Sequence, residues 1–107
     1  MSKSEVKAFI HRNRVADVVN ALSVAGFRRI ALVDVQGILK ALSNKEQSYS
    51  VDIGQKVVKE IKLEVVCDND DRTAVAVAAI RENARTGQPS AGWIFVSKIE
   101  TSIEITD

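Results

Sequence analysis

The stretch 57–67 constrains the fold of this chain more than any other. Within it Ile61, Leu63 and Val65 alternate with Glu60, Lys62 and Glu64. A period of two gives one apolar and one charged face only if the backbone is an extended strand. The inward side of that strand is therefore set by the chain itself.

The flanking segments supply the rest of a layered domain. Residues 7–11 read as a short strand, and Asn13 stands where an N-cap belongs. Val15, Val18, Val19 and Leu22 then fall on one stripe of an amphipathic helix, which Gly26 is placed to end in a left-handed turn. Residues 30–35 are a second, largely β-branched strand, and from Gly37 to about Gly54 periodicity fails. A loop that long inside a compact domain usually either works or is disordered. After the alternating strand, Asp68, Asn69, Asp70 and Asp71 offer caps and favourable negative charge for a helix over 72–85. A turn-rich loop over 86–92 leads into a fourth strand over 93–96, and Ile99, Thr101, Ile103 and Ile105 alternate in a tail strand. The order β-α-β-β-α-β predicts an α+β, ferredoxin-like sandwich with a C-terminal extra strand, one domain over 1–107. Helices cover one sheet face. The other predicts a homo-oligomer that buries it.

Composition removes whole classes of function. Fifteen Lys and Arg against fourteen Asp and Glu leave a net charge of +1, which argues against a nucleic-acid clamp working by bulk charge. The sheet also reads as lacking paired aromatics for base stacking, and Arg12, Arg14, Arg28 and Arg29 as solvated ends of elements, so no nucleic-acid partner is expected. The longest apolar run, 74–80, is far short of a membrane span, and no secretory leader is evident, which points to the cytoplasm. Serine- or thiol-protease chemistry is poorly supported, because His11 is the one imidazole and nothing nearby in sequence pairs with it. No carboxylate dyad emerges, and no enzyme is expected. His11 and Cys67 stand at the ends of the first and third strands, read as parallel neighbours. Two ligands fall short of the four a structural zinc takes, so the pair reads as a buried thiol with a rim imidazole and no metal is expected.

The run 14–22 with 62–66, and Ala84-Arg85-Thr86-Gly87 followed by Gly92-Trp93-Ile94-Phe95-Val96-Ser97, resemble the PII (nitrogen regulatory P-II) signal-transduction family over nearly the whole chain. The spacing from Gly37 to Lys62 matches that family's long effector loop without a gap. The resemblance implies a barrel-like homotrimer with adenine nucleotides in the clefts between subunits. It implies a loop, here 38–53, that docks on a protein partner such as a membrane transporter. Ligand-cleft positions implied by the match are Gly37, Lys40, Lys62, Glu64, Gly87, Ser90, Ala91, Gly92 and Trp93, with Ser48, Tyr49 and Ser50 at the partner-facing tip.

Several of the family's charged contacts are replaced. Its phosphate loop, Gly-Asp-Gly-Lys, is matched by Ser90, Ala91, Gly92 and Trp93. Its two C-terminal arginines are matched by Glu104 and Thr106. A glutamine serving magnesium and 2-oxoglutarate is matched by Ala41, a lysine for the same keto acid by Glu60, and the modified tyrosine by Ile53. Charge-assisted hydrogen bonds contribute about 1.5–3 kcal/mol each, so losing several predicts weak or absent binding of ATP and 2-oxoglutarate in the usual mode. Lys40, Lys62, Arg81 or Arg85 would compensate in part. Trp93 fits either interface packing or stacking on a ligand ring. Lys62 and Glu64 fit either a solvated pair or a cleft wall, and Tyr49 either a polar tip or a docking residue. The alternative function is a trimeric binding module for a metal ion or anion, resembling the copper-tolerance proteins of the same fold.

Overall fold

A computed structural model of the chain describes residues 3–34 and 60–107. In chain order these form β1 (Ser4–His11), one 3-10 turn (Arg12–Arg14), α1 (Val15–Val24), β2 (Ile30–Asp34), β3 (Glu60–Cys67), α2 (Asp70–Asn83) and β4 (Gly92–Lys98). The sheet order is β2-β3-β1-β4, and each neighbouring pair is antiparallel. Because β1 and β2 are both antiparallel to β3, they run parallel to each other with β3 inserted between them. That is the split βαβ of the ferredoxin-like α+β sandwich.

Alternation decides where the core sits. On β1, Ser4, Val6, Ala8 and Ile10 are buried while the residues between them are half-buried; on β3 the buried set is Ile61, Leu63, Val65 and Cys67. Against that side pack Val18 and Leu22 of α1 and Ala76 and Ile80 of α2. The helical stripe read from the sequence is thus the one that faces the sheet.

Local chemistry moves several boundaries. β1 starts at Ser4 rather than residue 7, and α2 runs two residues earlier than expected because Asn69 is the cap, its Oδ1 accepting the Arg72 N–H at 2.8 Å. Asn13 is not the cap of α1. β1 stays paired to β3 as far as His11, so the chain turns at once, and His11 Nδ1 accepts the Asn13 N–H at 3.2 Å. α1 then starts at Val15 with no side-chain cap. Gly26 does adopt a positive φ, +96°, and ends the helix as expected. The tail strand does not form: residues 99–107 carry no strand, with Ile103 and Ile105 81% and 97% exposed. An alternating segment becomes a strand only when an edge pairs with it. Here, among the described residues, the backbone offers the tail a single bond, from Ile99 N–H to the Lys3 carbonyl.

Arg72 ties the two helices together. Its guanidinium lies 4.0 Å from the Phe27 ring centroid, and Nη2 donates to the Ala25 carbonyl at 2.7 Å. A charged hydrogen bond contributes about 1.5–3 kcal/mol and an exposed cation–π contact about 0.5–1. Arg72→Ala is therefore expected to lower unfolding stability by about 2–3 kcal/mol, read as a reduced urea midpoint at unchanged slope.

Candidate functional site

The face turned away from the helices is striped with rings and charges. β1 contributes Glu5, Lys7, Phe9 and His11; β3 contributes Glu60, Lys62, Glu64 and Val66; β4 contributes Trp93 and Phe95. Register sets Lys62, Phe9 and Trp93 in one cross-strand row and Glu64, Lys7 and Phe95 in the next. Phe9 meets Phe95 edge to face at 6.1 Å between centroids, and the Trp93 ring runs near-parallel to Phe95 at 6.5 Å. Paired aromatics are therefore present, contrary to the reading of the sequence. Trp93 and Phe95 are two apart on β4, while Phe9 comes from β1, distant in sequence, and only the register brings it to them. The same face carries three carboxylates against the two ammonium groups of Lys7 and Lys62, a poor balance for a phosphate backbone.

Lys62 and Glu64 form an ion pair at 2.8 Å, and Glu5 and Lys7 another at 3.1 Å. The hydrogen bond from Lys62, aided by the fields of Lys62 and Lys7, holds the Glu64 carboxyl below its ordinary 4.5, against the opposing effect of burial. A carboxyl with a lowered folded pKa contributes stability that is complete above its unfolded value and lost as pH falls through the folded one. Acid titration of unfolding stability should accordingly show a loss below about pH 4.5 that shrinks in Glu64→Gln.

Two grooves flank this face. One, of about 780 Å³, is lined by Ser90, Ala91, Gly92 and Trp93 together with Arg85 and His11. Its floor depends on Gly92, whose φ is +151° and where a Cβ would stand 2.2 Å from the Phe9 carbonyl oxygen. No other residue lets β4 start so close to β1. Trp93, next along, is thereby aimed into the groove, 64% exposed. Gly87, with φ +82°, turns the loop leading to it. The second groove, of about 760 Å³, holds Lys3, Arg28, Arg29 and Arg72 with Glu64 and Asp68. Lys3, Arg28 and Arg29 have no ion-pair partner among the described residues.

The predicted cleft is thus divided. Ser90, Ala91, Gly92 and Trp93 share the first groove with Thr86 and Gln88, the neighbours of Gly87, whereas Glu64 lines the second. Lys62 stands on the open face, paired with Glu64. Gly37, Lys40, Ser48, Tyr49 and Ser50 lie outside the described residues. Arg28 and Arg29 are exposed just ahead of β2, as solvated ends of elements are expected to be, and they also line a groove. Their signal was adjacency to Gly26, a turn that leaves both side chains outside the core. Arg12 is exposed as expected and also grips Asp34 through two hydrogen bonds of 2.8 and 3.3 Å, which raise its pKa.

His11 and Cys67 are not neighbours. β1 and β3 are antiparallel, so Ser4 lies opposite Cys67 and His11 opposite Glu60, at the other end of the strand about 23 Å away. The inserted strand of a split βαβ must run against both its neighbours, which overturns the parallel reading. Burial pushes the Cys67 thiol up, although a hydrogen bond with Thr73 opposes this. Among the described residues no three His, Cys, Asp or Glu side chains are grouped to hold a metal, and no helix is long and apolar enough to cross a membrane.

Comparison with known proteins matches this geometry to one family. The family model described as Nitrogen regulatory protein P-II matches residues 3–107. The chain is 32% identical over 101 residues to nitrogen regulatory protein P-II 1 of Methanothermobacter thermautotrophicus, covering 94% of this chain and 87% of that one. It is 31% identical to nitrogen regulatory protein P-II of Mesorhizobium japonicum, with 94% and 89% covered. Among solved structures it is similar to Arabidopsis thaliana PII bound to citrate, with a TM-score of 0.66, 29% identity, and 89% and 75% of the two chains covered.

Proposed function

The chain belongs to the nitrogen regulatory protein P-II family, and from that premise we propose that it is a non-catalytic signalling subunit working as a cytoplasmic homotrimer. Each copy, one domain over 1–107, contributes to clefts between subunits that sense a small anionic ligand. The segment 38–53, with Ser48, Tyr49 and Ser50 at its tip, reports the bound state to a partner protein, a membrane transporter being one such class.

The observation that carries this reading is the divided site. On one chain Ser90, Ala91, Gly92 and Trp93 line the first groove and Glu64 the second, which supports a cleft made by the first groove of one copy against the second of another. Two further features support it. An exposed aromatic row on the open sheet face and the unpaired apolar alternation of Ile103 and Ile105 are surfaces that a second copy would cover. The solved Arabidopsis relative carries citrate, and in this chain Lys3, Arg28 and Arg29 offer uncommitted cations to a carboxylate. With an indole at Trp93 where the family places a lysine, the usual triphosphate mode is weakened.

Sedimentation velocity tests the assembly, and thermal shift with citrate, MgATP and MgATP plus 2-oxoglutarate tests the ligand. The expected result is a trimer stabilised by the carboxylate more than by the nucleotide. Pull-down with the full chain and with a variant lacking 43–50 should then show a ligand-dependent partner only for the former. A monomer at micromolar concentration overturns the reading, and strong MgATP binding with 2-oxoglutarate synergy overturns the weakened mode.

A further inference from the structure

β2 is the weakly held edge of the sheet. None of its side chains is fully buried, and only Ile30, at its start, packs against the buried core. Among the described residues its one strand neighbour is β3. A short edge strand with so little apolar contact opens at low cost, and it opens first at the end that lacks the contact. That end is Val33 and Asp34, paired with Lys62 and Ile61. It is also where the chain leaves the sheet after residue 34 and re-enters it at residue 60.

A side-chain contact from outside the ladder ties this end down. Arg12 follows β1, on the far side of β3, and its Nη1 and Nη2 donate to Oδ2 and Oδ1 of Asp34 at 3.3 and 2.8 Å. The fork therefore reaches across two strand spacings, about 10 Å, close to the row in which Ile10, Ile61 and Asp34 lie side by side. Its origin is firm, because β1 stays paired to β3 as far as His11 and the 3-10 turn begins at Arg12. A guanidinium holding both carboxylate oxygens fixes direction as well as charge, which a single exposed contact does not. Both side chains are about half exposed, 41% and 52%, so ions in solution compete for the pair. The contact lies within one chain, and no second copy is needed to make it.

We propose that the Arg12–Asp34 fork is a latch on the root of the segment 35–59. Made, it keeps the last β2–β3 pairs closed; broken, those pairs part and that end of β2 leaves the sheet. The use of such a latch in signalling rests on the preceding reading, in which 38–53 reports the bound state; the latch itself does not.

Amide hydrogen exchange of the full chain, followed in ¹H–¹⁵N spectra, tests it. Arg12→Gln is expected to speed exchange of the ladder amides among Val33, Asp34, Ile61 and Lys62 about fivefold, near the upper end of what an exposed pair supplies. Val65, which pairs with Ile30 at the other end of β2, should be unchanged. Arg12→Lys keeps the charge but loses the fork, and should behave nearly as Arg12→Gln does. Asp34→Asn should match them, and the double variant should exchange no faster than either single one. Sodium chloride at about 0.5 M should move the unmodified chain toward the variants and leave the variants where they are. Unchanged rates at the ladder end, a speed-up spread evenly along β2 and β3, or additive effects of the two substitutions each overturns the latch. Sedimentation of the same samples separates the two readings. A trimer whose ladder end is indifferent to Arg12 removes the latch alone, and a monomer whose ladder end loosens in Arg12→Gln removes the assembly alone.

Discussion

Alanine at Gly92 should cost the protein at least about 3 kcal/mol, more than half the stability of a small domain at the low end of the usual range. Two effects add. At φ +151° an L side chain is strained, which costs on the order of 1–3 kcal/mol. The new methyl would also stand 2.2 Å from the Phe9 carbonyl oxygen and 3.3 Å from its carbon, both backbone atoms that cannot swing aside. β4 must then lift from β1 at the Ile10–Gly92 register position, and Trp93 loses its aim into the groove. Urea unfolding followed by Trp93 fluorescence reads both consequences. Gly87→Ala is the control: its φ of +82° carries strain, but nothing stands within 4 Å of the added methyl, so a loss of only about 1–2 kcal/mol is expected. Equal losses at the two glycines would remove the steric half of the explanation.

Leu63→Ala should be the most damaging change in the core, at about 3–4 kcal/mol. Leu63 is fully buried in β3, which pairs on both edges, with Ala8 of β1 on one side and Leu32 of β2 on the other. With sheet on both flanks and helices above, the site has little room to collapse around a cavity, and uncollapsed volume is what raises the cost. Leu32 shares that face at the sheet's edge but is 48% exposed. Leu32→Ala should therefore cost less than about 1 kcal/mol, because much of its area is already in water. Denaturant midpoints for the pair test whether the buried side lies where the strand alternation puts it.

The alternation of β3, the stripe of α1 and the cap before α2 were legible because each is written within about a dozen consecutive residues. A period of two or of 3.6 needs no knowledge of the partner element. Asn69 caps α2 by reaching three residues along its own chain, and Gly26 needs only its own φ. Even there, choices among near neighbours were not legible: of the polar run 68–71, Asn69 caps α2 and Asp70 and Asp71 fall inside it, while His11 caps the 3-10 turn and α1, for which Asn13 seemed the cap, has no side-chain cap. The candidate site was readable as residue types and not as an arrangement. Matching positions placed Trp93 and Glu64 in one cleft, and a single chain separates them into two grooves.

What the amino-acid order determined alone is therefore the β-α-β-β-α-β order of the elements, the inward side of β3 and of α1, and the family to which they belong. Only the tertiary structure decided that His11 and Cys67 stand at opposite ends of the sheet, that Phe9, Trp93 and Phe95 meet, and that the isoleucines of the tail find no strand to join. The physical reason is one of range. Side-chain periodicity is fixed by bonded geometry over a few residues, whereas strand direction and register are fixed by which edges pair, and those pairings join residues from 27 (Asp34–Ile61) to 94 (Ser4–Lys98) positions apart.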